Sequence, residues 1–325
     1  MILVGPTPLA GIGQVMIKYA KLLNSKYYVL GQDSIPSGED VFIFALPVDH
    51  WFQSIPQIQS VSKSVHCMSI CETETVHEDY GKLFKMFNKI LVPSEFCKKI
   101  FKRQFPDTQY EIVRCYSHLN KIQKNINNNN IFKFPFDKYI FYHIGNITDP
   151  RKNIGQLIEA FYKCEFGDKA LLVLKATCNQ HVKIDNMPNV VIINGLIPEE
   201  SLDQLHVNCD CYVSFSNSEG VGMGAVEAAI QDKPVIITEY GGAIEYIDTP
   251  YSVSCDLQEI PQDDFLFQKG MKWGKPNQNK LIEFMKDSFN KRLKTMNHNH
   301  TRDLMRGVLK QFDVNVISQK NNETS

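Results

Sequence analysis

The chain has 325 residues, of which 43% are hydrophobic and 22% are charged, and its formal net charge is −1 at pH 7. This length and composition are typical of a globular protein with two domains. The small net charge argues against a nucleic-acid partner, and no apolar run reaches the roughly 18 residues of a membrane-spanning helix. The nine cysteines follow no disulfide or metal-binding spacing, and the N-terminal MILVG is a strand pattern, not a signal peptide. We therefore expect a soluble, cytoplasmic protein.

The first half of the chain alternates short apolar runs with helical patterns, which predicts a parallel, doubly wound sheet. The strand at 1–5 is followed by Gly11 and Gly13 and by an amphipathic helix at about 14–24. These glycines do not complete a dinucleotide-binding fingerprint, because no third glycine follows, so a dehydrogenase is disfavoured. Further strands are predicted at 27–30, 40–46, 64–71, 90–94 and 110–116, with a helix at 95–105 after the fourth of them.

A polar, asparagine-rich segment at 125–136 is predicted to be a linker between two domains. Residues 1–124 form the first predicted domain, and the alternation of strands and helices restarts in the second, at 137–289. We expect residues 290–318 to form a helix that joins the first domain, and 319–325 to be disordered. The predicted architecture is α/β, with two Rossmann-like, doubly wound parallel-sheet domains. Ligands are expected at the carboxyl ends of the strands, in a cleft between the domains.

Two turns in the second half carry an anion-binding pattern. Arg151 and Lys152 stand at the start of a predicted helix just after the strand at 138–145, where two cations oppose the helix dipole unless an anion binds. The glycine-rich turn SEGVGMG lies between a strand and a helix, with Glu219 and Glu227 on its two sides. Carboxylates accept hydrogen bonds from hydroxyls and backbone N–H groups bind phosphate, so this pattern fits a sugar nucleotide. A tight turn with solvated glutamates and a solvated basic turn are the alternatives.

Four segments of the second half together resemble glycosyltransferase family 4, within glycosyltransferase group 1. They are HIGNITDPRKNIGQLIEAF, the stretch from Asn194 to Ala229, QDKPVIITEYGGAIEYI and KWGKPNQNKLIEFM. In the first half, the resemblance rests on two shorter segments, CETE and VPSEFCKKIF. The resemblance implies retaining enzymes of the GT-B fold, in which two Rossmann-like domains face each other across a cleft.

The resemblance also implies an activity. The protein would move a hexose-type sugar from a UDP- or GDP-linked donor to a hydroxyl of a glycan, a lipid or a protein-linked sugar. The implied mechanism is front-face, with the leaving phosphate helping to deprotonate the acceptor, and it needs no protein nucleophile. No metal and no further cofactor are expected, because the sequence has no D-x-D motif and its paired histidines, His298 and His300, lie in a polar region.

The same resemblance implies a role for each matched residue. Lys152 and Arg151 would bind the leaving diphosphate, and Glu219 would accept hydrogen bonds from the donor sugar. Glu227 would accept from the ribose hydroxyls, and Glu72 is the candidate on the acceptor side. The other positions expected to bind the donor are Gly11, Gly13, Asn146, Leu196, Ile197, Gly220, Val221, Gly222 and Met223.

Two alternatives stay open. Asn146 stands where the family usually has an arginine, which removes one cation from the diphosphate site. A degenerate GT-B protein that binds a nucleotide sugar or a partner without turnover is therefore one alternative, and a nucleotide-sugar epimerase on a similar fold is the other. The basic face of the helix at 95–105 allows a peripheral membrane contact, although a solvated helix surface is the simpler interpretation.

Overall fold

The computed structural model shows two compact units. The first contains Met1–His118, Glu259–Trp273 and the described residues from Asp303 on, and the second contains the described residues between Leu119 and Gln258 together with Gly274–Arg302. The predicted tail at 319–325 lies outside the described residues, and so does the predicted linker at 125–136 apart from residues 132, 134 and 135. The residues described are 1–9, 11–120, 132, 134, 135, 137–177, 182 and 187–317.

The first unit contains a parallel sheet of six strands. The strands are β1 (Ile2–Gly5), β2 (Tyr27–Val29), β3 (Asp40–Phe44), β4 (Ser64–Met68), β5 (Lys89–Val92) and β6 (Gln109–Ile112). The helices are α1 (Gly11–Leu22), α2 (Asp49–Val61), α3 (Asp79–Phe84) and α4 (Glu95–Gln104). The strand order is β2-β1-β3-β4-β5-β6, so the sheet grows in one direction from β1 and in the other from β3.

The apolar pattern of the first unit explains its layers. β3, with the sequence DVFIF, is buried at every residue, as expected for a parallel strand that is covered on both faces. α4 begins after Ser94, whose hydroxyl accepts a hydrogen bond from the Cys97 N–H at 3.1 Å, and it turns Ile100 and Phe101 toward the core. The predicted helix at 95–105 is confirmed.

The second unit contains another parallel sheet of six strands. The strands are β7 (Tyr139–Gly145), β8 (Ala170–Ala176), β9 (Val190–Ile193), β10 (Cys211–Ser214), β11 (Val235–Thr238) and β12 (Ser252–Val253). The helices are α5 (Ile154–Lys163), α6 (Glu199–Asn208), α7 (Met223–Ile230) and α8 (Gln278–Asn290), with 3-10 turns at Pro150–Lys152, Gly167–Lys169 and Ala243–Glu245. The strand order is β12-β11-β10-β7-β8-β9, so the chain winds outward in one direction from β7 and in the other from β10. The prediction of two doubly wound parallel sheets is confirmed.

The remaining elements follow the second sheet in the sequence. β13 (Cys255–Glu259) and β14 (Lys272–Pro276) form a separate two-stranded sheet. α9 (Asn299–Phe312) is followed by a π-helical turn at Asp313–Ile317. Because α8 extends to Asn290 and a non-helical stretch follows it, α9 begins later than the predicted helix at 290–318. Within the residues that the structure describes, no helix is both long and apolar enough to cross a membrane.

The chain before α5 differs from the prediction. Pro150–Lys152 forms a separate 3-10 turn, and Asn153 adopts a left-handed conformation with a φ of 56° before α5 begins at Ile154. Asparagine tolerates this conformation better than most residues. Arg151 and Lys152 therefore precede the helix instead of occupying its first turn, and the expected conflict with the dipole of α5 is smaller than predicted.

The core of the second unit depends on α5 packing against β7 and β8, which are buried at every residue. We expect Leu157→Ala, at a fully buried position on α5, to destabilise the fold by about 2–5 kcal/mol, because the lost side chain leaves a cavity. The shift of the urea unfolding midpoint measures this effect. Gln156→Ala, at the exposed neighbouring position, is the control, and equal shifts for the two variants would contradict the packing assigned to α5.

Candidate functional site

The reversal of strand order in the second unit marks the candidate site. In doubly wound sheets, ligands bind outside the carboxyl ends of two neighbouring strands whose following loops diverge. β7 and β10 are hydrogen-bonded neighbours, and the chain leaves them in opposite directions. The loops at 146–153 and 215–222 therefore start side by side at one edge of the sheet.

These two loops bring two cations to one carboxylate. Lys152 Nζ forms a hydrogen-bonded ion pair with Glu219 Oε1, and Arg151 Nη1 lies 3.7 Å from Glu219 Oε2. The three side chains are only 11–13% exposed, so their charges are largely removed from water. We call Arg151, Lys152 and Glu219 the ion cluster. Three predicted site residues thus meet at one point, although Lys152 and Glu219 are 67 positions apart in the sequence.

Backbone hydrogen bonds hold the two loops together. The N–H of Asn217 donates to the carbonyl of Arg151 at 2.7 Å, and Arg151 Nη1 donates to the carbonyl of Ser218 at 3.3 Å. Asp149 contacts the guanidinium as well, with its Oδ2 3.0 Å from Arg151 Nη2. Asp149 Oδ1 also accepts from the Arg151 N–H at 2.9 Å and so caps the 3-10 turn. The guanidinium is therefore shared between two carboxylates.

The ion cluster keeps Glu219 charged despite its burial. Burial would raise the pKa of Glu219, but the charges of Lys152 and Arg151 lower it to about 2. The Ser216 hydroxyl donates to Glu219 Oε1 at 2.8 Å and further stabilises the ionised form. At neutral pH Glu219 is a carboxylate that can only accept hydrogen bonds.

A neutral histidine lies near the ion cluster. His143, on β7, is 1% exposed, and its burial together with the Lys152 charge lowers its pKa to about 4. Its Nδ1 lies 2.8 Å from the carbonyl oxygen of Val213, so the Nδ1–H donates and Nε2 is left as an acceptor without a hydrogen-bond partner. A Cβ at Gly145 would lie 2.8 Å from this Nε2, so glycine at the end of β7 leaves room for the imidazole.

Glycines allow the turn at Glu219 to pack closely. Gly241 has a φ of +87°, and a Cβ there would lie 2.5 Å from the carbonyl oxygen of Glu219. The N–H of Gly242 donates to that same oxygen at 2.9 Å. Gly222, with a φ of +70°, is the residue before α7. Because a side chain at Gly241 would meet backbone in a strained conformation, the GG pair after β11 supports the position of Glu219.

The second predicted glutamate lies outside the ion cluster. Glu227 is on α7, and its Oε2 is 3.6 Å from Nε2 of His206 on α6. Its side chain is 18% exposed. Between the two glutamates along the chain, Gly220 and Val221 are buried and Met223 is half-buried.

Three other predicted residues follow β7 and β9 at the same edge of the sheet. Asn146 Oδ1 accepts a hydrogen bond from the Thr148 hydroxyl at 2.9 Å, so this side chain helps to shape the loop after β7. Leu196 is 55% exposed and Ile197 is half-buried, and both follow β9, which β7 and β8 separate from β10. The role of Leu196 and Ile197 against a base stays a prediction.

Gly11, Gly13 and Glu72 belong to the first unit. Gly13 is buried in α1, where a Cβ would lie 2.2 Å from the carbonyl oxygen of Thr7, so a larger residue would displace the backbone. Gly11 is exposed and has open space at its Cβ position. Glu72 is half-buried in the segment after β4. Their roles in donor and acceptor binding stay predictions.

Metal ligands are not grouped in the part of the chain that the structure describes. No set of three or more histidine, cysteine, aspartate or glutamate side chains there is arranged to hold a metal ion. The paired histidines that the sequence places in a polar region contact the backbone: His298 Nε2 lies 2.8 Å from the carbonyl oxygen of Lys233, and His300 Nε2 lies 3.0 Å from that of Glu245.

Four residues of the site were not identified from the sequence: Asp149, Ser216, His143 and His206. Asp149 and Ser216 stand within three positions of a predicted site residue, so polar neighbours of the two motifs were the available signal. His143 and His206 lie inside a strand and a helix, and their contacts join elements that are far apart in the sequence. No local pattern points to those contacts.

Comparison with known proteins gives one family match, in the second half of the chain. Residues 125–252 match the family model described as Glycosyl transferases group 1. This range includes the ion cluster, Glu227 and the strands from β7 to β11. No curated protein matches the chain. This match agrees with the resemblance to glycosyltransferase group 1 found in the sequence.

Solved structures establish the fold of the whole chain. The chain is similar to the glycosyltransferase from Rickettsia africae ESF-5, with a TM-score of 0.63 and 14% identity over 99% of this chain and 96% of that one. It is also similar to Anabaena Alr3699/HepE in complex with UDP-glucose, with a TM-score of 0.59 and 14% identity over 99% and 98% of the two chains. A third similar structure is the pneumococcal O-GlcNAc transferase GtfA in complex with UDP and GlcNAc, with a TM-score of 0.56 and 12% identity over 94% of this chain and 60% of that one. The predicted GT-B fold class, with two Rossmann-like parallel-sheet domains, is confirmed.

The lowered pKa of Glu219 has a consequence for stability. Because the folded-state pKa of about 2 lies below the ordinary value of 4.5, ionised Glu219 stabilises the fold above pH 4.5, and this stabilisation is lost as the pH falls toward 2. We expect wild type to exceed Glu219→Gln in unfolding temperature by a constant margin near neutral pH and by a shrinking margin below about pH 5. Thermal unfolding of both proteins across this pH range measures the margin.

Glu200→Gln, at an exposed position on α6, is the matched control and should stay closer to wild type at every pH. A margin between wild type and Glu219→Gln that does not change with pH would show that the ion cluster does not hold Glu219 ionised.

Proposed function

We propose that the protein is a retaining glycosyltransferase that moves a hexose-type sugar from a UDP- or GDP-linked donor to a hydroxyl acceptor. The observation that carries this proposal is the ion cluster at the carboxyl ends of β7 and β10. Two cations and one carboxylate suit the two parts of a sugar diphosphate, because phosphates need donors and hydroxyls need acceptors. The group 1 family match and the UDP and UDP-glucose complexes of similar structures support the same conclusion.

Donor binding would exchange the partners within the ion cluster. In the free protein, Lys152 and Arg151 both pair with Glu219, and Arg151 also pairs with Asp149. The donor diphosphate would take over Lys152 and Arg151, and Glu219 would turn to the hydroxyls of the transferred sugar. The backbone N–H groups at 220–223 and the ribose contact of Glu227 would complete the donor site.

The chemical step would then proceed on one face of the sugar. The bond between the anomeric carbon and the diphosphate oxygen breaks, and the acceptor oxygen bonds to the same face of that carbon. The acceptor proton passes to the leaving phosphate, so no protein nucleophile is needed. Negative charge grows on the leaving diphosphate, and fixed cations at that position lower the barrier. In this mechanism Lys152 and Arg151 supply the charge that a metal ion supplies in other transferases.

Acceptor recognition is assigned to the first unit, with Glu72 as the candidate residue. The acceptor would be a hydroxyl of a glycan, a lipid or a protein-linked sugar. Asn146 leaves the diphosphate with one cation fewer than the family pattern has, and Arg151 would compensate for it.

The proposal is tested by thermal unfolding with UDP, GDP, ADP, UDP-glucose, UDP-GlcNAc and GDP-mannose, each with Mg²⁺ and with a chelator. A ligand at a hundred times its dissociation constant should stabilise the fold by about 2.7 kcal/mol, which is a visible shift. We expect a metal-independent response to one nucleotide and its sugar. No response to any of these ligands would overturn the proposal, and binding without release of nucleotide diphosphate in the presence of acceptor sugars would identify a binding protein.

Lys152 is the residue on which turnover should depend most. We expect Lys152→Ala to lower the rate of nucleotide diphosphate release by about 10²–10³-fold, since a donor to the leaving diphosphate is lost. Lys163→Ala is the matched control, because Lys163 lies in the last turn of α5 and is 50% exposed. Wild-type rates in a correctly folded Lys152→Ala protein would remove Lys152 from the mechanism.

A further inference from the structure

Behind Glu227, a line of polar groups runs into the second unit. The Tyr142 hydroxyl on β7 lies 2.9 Å from His206 Nδ1 on α6. On the other side of the same imidazole, Nε2 lies 3.6 Å from Glu227 Oε2 on α7. One histidine ring therefore stands between a strand and a helix that carries a predicted site residue.

This line of groups is buried at its inner end and open at its outer end. Tyr142 is fully buried, and the His206 side chain is 2% exposed. His206 Nε2 has no hydrogen-bond partner within 3.5 Å, so the Glu227 carboxylate is the charged group placed to receive it. The Glu227 side chain is 18% exposed, so this end of the line of groups reaches the protein surface.

The hydrogen bond to Tyr142 selects one form of the imidazole. Burial raises the pKa of Tyr142 well above its ordinary value, so the phenol keeps its proton and can donate to Nδ1. An imidazole that accepts at Nδ1 carries its own proton on Nε2. That proton is on the nitrogen that lies 3.6 Å from the Glu227 carboxylate, whereas the other tautomer would place a lone pair beside a negative charge. Both neighbours of the His206 imidazole, Tyr142 and Glu227, therefore favour the tautomer that is protonated on Nε2.

Aromatic packing fixes the orientation of the ring. The His206 imidazole contacts the Tyr142 ring at 5.5 Å and 75°, and it stacks on Tyr212 at 6.4 Å and 29°. Tyr142 and Tyr212 contact each other edge to face at 5.1 Å. A Cβ at Gly224, the second residue of α7, would lie 2.4 Å from the Tyr212 hydroxyl, so α7 lies directly against this aromatic layer. The imidazole has little freedom to rotate away from Glu227.

We propose that His206 is a positioning residue: it donates from Nε2 to Glu227 and holds that carboxylate in the orientation that receives the ribose hydroxyls of the donor. His206 thereby sets the preference of the site for a ribonucleotide over a nucleotide that lacks these hydroxyls. This inference rests on the proposed function. The 3.6 Å separation in the free protein shortens when the ligand binds, as is common for hydrogen bonds in ligand-free sites.

The test compares two probes, UDP and 2′,3′-dideoxy-UDP, by calorimetry on the full chain; GDP and its dideoxy analogue replace them if GDP stabilises the wild type more. His206→Asn keeps an amide near the Nδ1 position and loses the donor to Glu227. His206→Gln keeps an amide near the Nε2 position and is the matched rescue variant.

We expect His206→Asn to weaken UDP binding about tenfold, since a hydrogen bond to a charged group is lost, and to leave dideoxy-UDP binding within about twofold of wild type. His206→Gln should recover most of the UDP affinity. Tyr142→Phe should also weaken the binding of UDP but not that of dideoxy-UDP, because the His206 imidazole loses the hydrogen bond that keeps its proton on Nε2. This substitution is the second variant if His206→Asn does not fold. In the Glu227→Gln background, His206→Asn should have little further effect on UDP binding.

Other outcomes separate the two proposals. Equal losses for UDP and dideoxy-UDP in His206→Asn, or in Tyr142→Phe, would show that His206 only supports the fold, and would overturn this inference while leaving the proposed function intact. Full additivity of His206→Asn and Glu227→Gln would overturn it too. A wild-type protein that binds neither UDP nor GDP would overturn the proposed function itself.

Discussion

Burying the Glu219 carboxylate is possible only because two cations are brought to it. An unpaired charge at a position 12% exposed would be costly, and removing one partner of a buried pair leaves the other uncompensated. Lys152 and Arg151 come from the loop after β7, and Glu219 comes from the loop after β10. Pairing these charges therefore holds together two loops that lead away from each other along the sheet. The backbone hydrogen bond from the Asn217 N–H to the Arg151 carbonyl connects the same two loops.

The two glutamates of the glycine-rich turn are supported in different ways. Glu219 is held by opposite charges, by the Ser216 hydroxyl and by the Gly242 N–H on its own carbonyl. Glu227 has His206 as its neighbour, and that imidazole packs on the rings of Tyr142 and Tyr212. The first arrangement favours a group that changes partner when an anion arrives. The second favours a group that keeps one orientation throughout, and such a pre-organised group loses less freedom when a ligand binds.

Much of this architecture follows from local patterns. Alternating strands and helices predict the parallel sheets, and placing Arg151 and Lys152 near Glu219 needs only the rule that parallel strands share a carboxyl edge. Their direct pairing was not predicted, since it depends on which strands are neighbours. Asn153 has a left-handed conformation and separates the cations from α5. This conformation was not predicted, because more than one residue type can adopt it and asparagine does not require it. The contact of His206 with Glu227 depends on how two helices pack over one sheet, so the spacing of residues in the sequence does not predict it.

The pairing inside the ion cluster also has a consequence for competing anions. Glu219 is tethered beside Arg151 and Lys152, so it faces them at an effective concentration well above that of a free anion in solution. The carboxylate is in this sense an internal inhibitor of its own cation site. Free phosphate or sulfate must displace the Glu219 carboxylate and supplies no hydrogen-bond donor to it. A ligand that brings hydroxyl groups together with its phosphates would give the released carboxylate new donors, so the ion cluster would favour such a ligand over a small anion.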